Sequence, residues 1–132
     1  MAVVSGTWTM VSSDGYSEYL KAVGAPLMQR AAAEKDTPTI ELSGEGEAWT
    51  LKTLTGLKNY EVSFTLGTPV EHKGVEGLPA VSTFTIDGSR LTDTATIDGG
   101  EAKAVYTFGG GAVQATFTAK GVTATRVYNS TT

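Results

Sequence analysis

The sequence predicts a mainly β protein: an antiparallel meander of about ten strands, closed into an up-and-down barrel and capped by a short helix-turn-helix. Three observations carry this reading. From Pro38 onward, short runs of alternating apolar and polar residues recur at intervals of about 8 to 12 residues, the spacing of a sandwich or barrel. The runs are separated by Asp87-Gly88, Asp98-Gly99-Gly100, Gly109-Gly110-Gly111 and Lys120-Gly121, residues that supply the positive φ of tight hairpins. Residues 16 to 36 alone show apolar side chains three and four apart, the helical period. An open meander of this length would present long unpaired edges, so closure is expected.

In chain order, Gly6-Thr7-Trp8-Thr9-Met10-Val11 opens a first strand over 6–12, which Asp14-Gly15 breaks. Tyr16, Tyr19, Leu20, Val23, Leu27, Met28 and Ala31 to Ala33 then form the helical stretch, with Asp14 or Ser17 as candidate N-caps. Gly24-Ala25-Pro26 divides it, since Gly suits a helix end and Pro a helix start. The expected helices are 15–23 and 26–35, a lid over about 15–36. They are too short to form a bundle and must pack on the barrel. Strands follow at 39–43, 48–53, 58–66, 70–73, 80–86, 90–96, 102–108, 113–119 and 122–128.

Composition bounds the function. The 132 residues suit one domain, residues 1–132, with 40% hydrophobic and 18% charged content. Net charge is −4 with interspersed signs, so there is no basic stripe for nucleic acid. The absence of cysteine removes disulfides, thiol catalysis and cysteine metal sites. Met1-Ala2-Val3-Val4-Ser5-Gly6 lacks the basic and long apolar regions of a signal peptide, and no run suffices to span a membrane as a helix. The expectation is a cytoplasmic, monomeric protein without cofactor or metal.

A barrel of eight strands is roughly filled by its own side chains, whereas about ten strands enclose a cavity. The last three strands suggest its lining. Ala102, Ala104, Tyr106 and Phe108 share one face, as do Val113, Ala115, Phe117 and Ala119, and Val122, Ala124, Arg126 and Tyr128. The opposite faces are mostly Thr, Gln and Lys. Alternation favours the first set as the inward one, although Val105 and Val127 argue the other way. The competing reading is an exposed Arg126 stacked on Tyr128, which would contribute little. An inward Arg126 is a buried cation that requires an anion or hydroxyls. Its planar fork matches a carboxylate, and Tyr128 would add a second donor.

Taken together, Gly6-Thr7-Trp8, Tyr19-Leu20-Lys21, Arg30, Leu51-Lys52-Thr53, Lys58-Asn59, Leu66-Gly67, Asp87-Gly88 and Arg126-Val127-Tyr128 fall in a familiar order and spacing. Over essentially its whole length the chain resembles the intracellular lipid-binding proteins, the fatty-acid-binding and cellular retinoid-binding group. The resemblance implies a calycin-like β-clam of two near-orthogonal sheets, an internal cavity and a helical portal. It implies a fatty acid or similar lipid as ligand, its carboxylate held by Arg126 and Tyr128. The ligand-facing set is completed by Tyr106, Tyr16, Tyr19, Leu20, Val23, Ala33, Thr53, Lys58, Ala104, Ala115 and Phe117. Arg30, Lys58, Leu57 and Val75 are placed at the portal, where cations would meet an anionic membrane transiently. One departure stands out. Many members carry a second arginine where this chain has Tyr106, which implies a single-cation anchor. The many alanines of the inward faces leave room for a retinoid or another bulky lipid as the alternative ligand.

Other classes fare worse. His72 is the sole histidine and sits in a loop-like stretch, with nothing to place a serine beside it, so no Ser-His-Asp triad is expected. Glu45, Glu47, Asp93 and Asp98 read as turn and outer-wall carboxylates rather than acid–base pairs. An enzyme is not expected. An eight-stranded secreted lipocalin shares the Gly-x-Trp start, but the two-helix insert and the missing signal peptide and cysteines count against it.

Overall fold

The computed structural model describes Val3, residues 5–25, Met28, Ala31, and residues 36–55, 59–73, 79–97 and 100–131. Among them run β1 (Gly6–Asp14), α1 (Tyr16–Ala22), β2 (Thr39–Glu45), β3 (Ala48–Leu54), β4 (Asn59–Thr65), β5 (Val70–Lys73), β6 (Pro79–Asp87), β7 (Arg90–Ile97), β8 (Gly100–Gly109), β9 (Ala112–Ala119) and β10 (Val122–Ser130). The expected second helix, 26–35, lies outside the described residues apart from Met28 and Ala31.

Sequential strands pair antiparallel except at one place, and β1 pairs with β10, giving the order β4-β3-β2-β1-β10-β9-β8-β7-β6-β5. The ends of this ladder, β4 and β5, meet without joining it. Side chains and the linking turn bridge them instead. Phe64 of β4 stacks on Phe84 of β6, with ring centroids 3.8 Å apart and planes at 15°. The Gly67 N–H donates to the Phe84 carbonyl at 2.8 Å. The result is a nearly closed ten-stranded barrel.

Burial decides which face looks inward. Ala102, Ala104, Phe108, Val113, Ala115, Phe117, Ala119, Ala124, Arg126 and Tyr128 are buried, whereas Lys103, Thr107, Gln114, Thr118 and Thr123 are exposed. Val105 and Val127 lie only half-buried on the outer side. The wall is a single sheet, so side chains alternate between its inner and outer faces, and the aromatic and alanine face has the larger apolar area to hide.

A bulge in β1 sets the register of the wall. Met10 pairs with Tyr128 and Ser12 with Val127, so Val11 is the extra residue, and it is exposed. Downstream of the bulge Ser13 lies directly opposite Arg126. The helix α1 packs across β9 and β10. Its N-cap differs from expectation: neither Asp14 nor Ser17 caps it. Gly15 occupies the position at φ 75°, with no side-chain cap bond. A Cβ there would lie 2.9 Å from the Thr123 carbonyl oxygen, so the close approach of chain to β10 demands glycine. At the other end Ala25 N–H donates to the Leu20 carbonyl at 2.9 Å, next to Gly24 at φ 89°, as the Gly24-Ala25-Pro26 reading expects.

Candidate functional site

The inward face of β10 carries Arg126 and Tyr128 two residues apart, at 4% and 3% exposure. The Arg126 Nε donates to Ser13 Oγ at 3.1 Å, across the pair that the β1 bulge creates. Above it, the Cζ of Arg126 lies 3.4 Å from the centroid of the Tyr16 ring, the first residue of α1. The helix therefore delivers an aromatic face to the buried cation. Tyr16 stacks near Tyr19 at 5.9 Å, and both meet the Phe117 ring, at 5.3 and 5.4 Å. Tyr106 meets Phe117 edge-on at 6.1 Å. Small residues on the neighbouring strands, Ala115 and Ala124, admit these rings, so part of the room that the alanines leave is filled by aromatic side chains.

These groups border one cavity, which reaches from α1 through the inward faces of most strands. It leaves about 980 Å³ of atom-free space counted out through its mouth, but only about 100 Å³ for the centres of water-sized molecules. The space is thin. Arg126, Tyr128, Tyr106, Tyr16, Tyr19, Thr53, Ala104 and Phe117 border it. Leu20, Val23 and Ala115 are buried but sit in the packing between helix and sheet, away from the cavity wall. Ala33, Lys58, Arg30, Leu57 and Val75 lie outside the described residues.

Three polar residues of the wall escaped the sequence reading. Asp93 borders the cavity instead of the outer surface. The reason is parity: in β7 it alternates in step with Leu91, Ala95 and Ile97, all buried, so the strand must turn it inward. Burial lifts its carboxyl to about 6, opposed by a hydrogen bond from Ser82. Its Oδ1 is buried without a hydrogen-bond partner among the described residues. His72 is not in a loop but in β5, and its Nε2 lies 2.7 Å from the Oγ of the fully buried Ser82. A serine therefore does sit beside the histidine. The order across the wall is His72, Ser82, Asp93, with the hydroxyl in the middle. A triad needs the histidine between hydroxyl and carboxylate, so this row has no activated nucleophile.

The phenols are firm donors. Burial, and then the negative charge of Asp93, raises Tyr19 above the usual phenol range. Tyr106 is also raised, first by burial and then by Tyr128, Asp93, Tyr16 and Tyr19. Both keep their protons at neutral pH. Arg126 is the sole guanidinium among the described residues that border the cavity.

A model of the lipocalin / cytosolic fatty-acid binding protein family matches residues 5–130. The chain belongs to this family. Among curated relatives, sodium/calcium exchanger regulatory protein 1 of Doryteuthis pealeii is 34% identical over 90 residues, 68% of each chain. The liver fatty acid-binding protein of Lethenteron camtschaticum is 38% identical over 79 residues, 60% of this chain and 69% of that protein. Among solved structures, a fatty-acid-binding protein from brain tissue of Drosophila melanogaster superposes with a TM-score of 0.89 at 29% identity, covering 98% of this chain and 100% of that one. Membership in the lipocalin / cytosolic fatty-acid binding family places the chain among carriers, not enzymes. No helix among the described residues is long and apolar enough to cross a membrane.

Proposed function

We propose that this protein is an intracellular carrier that reversibly binds a long-chain fatty acid in its barrel, with the carboxylate held by Arg126 and Tyr128. The observation that carries the reading is a guanidinium at 4% exposure on the cavity wall, set among phenols and apolar side chains. Such a group has been stripped of most of its water and regains the loss by meeting an anion. The Ser13 bond and the Tyr16 ring hold it in place, so little side-chain entropy remains to be lost on binding. The acyl chain supplies the rest, at about 0.8 kcal/mol per buried methylene before ordering costs. Tyr106, a neutral donor beside this site, would serve as a third polar contact in place of a second cation.

Titration of oleate and methyl oleate against the wild-type protein and Arg126→Leu tests the assignment. Loss of a charge-assisted hydrogen bond of about 1.5–3 kcal/mol should weaken oleate by roughly 10- to 150-fold and the ester far less. Equal losses for acid and ester would remove Arg126 from the head-group site. Retinol in the same titration separates the alternative ligand class: it should bind more weakly than oleate to wild type and be little changed by Arg126→Leu.

A further inference from the structure

The carboxylate reading leaves one shielded carboxylate oxygen of the same cavity unused. Asp93 pairs in register with Phe84 on β6 and Ala104 on β8, so its row of the wall is otherwise apolar. Its Oδ1 is shielded from solvent and has no hydrogen-bond partner among the described residues. The side chains that face it are the phenols of Tyr19 from α1 and Tyr106 from β8, and Ser82 from β6 with His72 of β5 behind it. None of these satisfies Oδ1. Leaving a buried acceptor unmade costs about 1–3 kcal/mol, more when it is charged. Packing does not require a carboxylate in a row of Phe84 and Ala104. An orphaned acceptor aimed into a ligand cavity is complementary to a donor on the ligand.

The position of Asp93 relative to Arg126 narrows what that donor is. β7 and β10 are three strands apart, about 14 Å along the wall. A carboxylate held at Arg126 is an acceptor only and cannot donate to Asp93, so the donor is a separate group of the same ligand.

We propose that Asp93 Oδ1 accepts a hydrogen bond from a hydroxyl on the acyl chain, so that the cavity prefers hydroxylated fatty acids over their unsubstituted counterparts. This rests on the carboxylate reading above and extends it to a second recognition point. The thin cavity adds to the discrimination, because a chain passing Asp93 without a donor would cover Oδ1 and seal in its unmet bond.

Ricinoleate and oleate provide the test, since they share length and double bond and differ by one mid-chain hydroxyl. Affinities are measured by calorimetry at about pH 8, where Asp93 is ionised, for wild type, Asp93→Asn and Asp93→Leu, with thermal melts to establish that each variant folds. The wild type should prefer ricinoleate by roughly tenfold, the worth of one hydrogen bond to a charged group. Asp93→Leu should abolish or reverse that preference while binding oleate at least as well. Asp93→Asn, which is isosteric and keeps an acceptor, should retain a reduced preference. A wild type that binds both lipids equally, or an Asp93→Leu protein with the wild-type ratio, overturns this proposal and leaves the carrier reading standing. A wild type that binds neither lipid overturns both.

Discussion

At the scale of single residues, the energetics turn on two charges placed where charges are costly. Arg126 is compensated by the Ser13 hydroxyl and the Tyr16 ring, whereas Asp93 is compensated only in part. Its pKa rises from an unfolded value of 3.8 to about 6 in the fold, chiefly through burial. A raised acid pKa means that the folded state binds the proton more tightly than the unfolded chain. The associated stability is present below about pH 4 and is lost as pH rises to about 6, with no further change above. The full two-unit shift corresponds to at most about 3 kcal/mol, and residual exposure reduces it. Asp93→Asn should accordingly be more stable than wild type by about 1–2 kcal/mol at pH 7, with the difference vanishing near pH 4. Urea denaturation of both proteins across that range checks it. A constant difference at all pH values would show that Asp93 is not carrying the penalty. The inward turn of Asp93 was legible in its parity with Leu91, Ala95 and Ile97. Its chemistry argued for the surface, and periodicity won because one flipped residue would have expelled the whole apolar set of β7.

At the scale of elements, small backbone devices aim the site. The extra residue at Val11 brings Ser13 opposite Arg126, and the left-handed Gly15 swings α1 over β9 and β10 so that Tyr16 lands on the guanidinium. Gly15→Ala should therefore cost about 1–3 kcal/mol, combining a positive φ with a Cβ 2.9 Å from the Thr123 oxygen. The melting temperature reports the loss, and the same variant should weaken oleate, because the helix can no longer seat Tyr16. An unchanged melting temperature would mean that the turn relaxes freely. The helix itself was readable from the spacing of Tyr16, Tyr19, Leu20 and Val23. The bulge was not: Val11 continues the alternation of its neighbours, and only pairing with β10 marks it as the extra residue.

At the scale of the whole molecule, the barrel is closed by backbone ladders everywhere except between β4 and β5. There the Phe64 and Phe84 rings and the Gly67 bond take the place of a ladder. The gap is the part of the wall with the fewest hydrogen bonds to break, so it should open before the rest. Phe64→Leu removes the ring stack while keeping an apolar side chain, and it should lower stability by about 1–2 kcal/mol. Amide exchange should quicken in β4, β5 and β6 while β8 to β10 stay protected. A uniform rise in exchange over all strands would show instead that the stack serves the global core.

The sequence by itself determined the strands, their order and the inward face of β8 to β10. Those follow from local rules: glycine pairs end strands, alternation fixes two faces, and the larger apolar area is buried. It also marked Arg126 and Tyr128 as a pair, since they share a strand face. What only the tertiary structure decided are the contacts between residues distant in the chain. Ser13 and Tyr16 on Arg126, Ser82 between His72 and Asp93, and Phe64 on Phe84 are such contacts. Each depends on register and on closure of the barrel, which are properties of strand pairs and of the whole sheet. No single stretch of residues contains them.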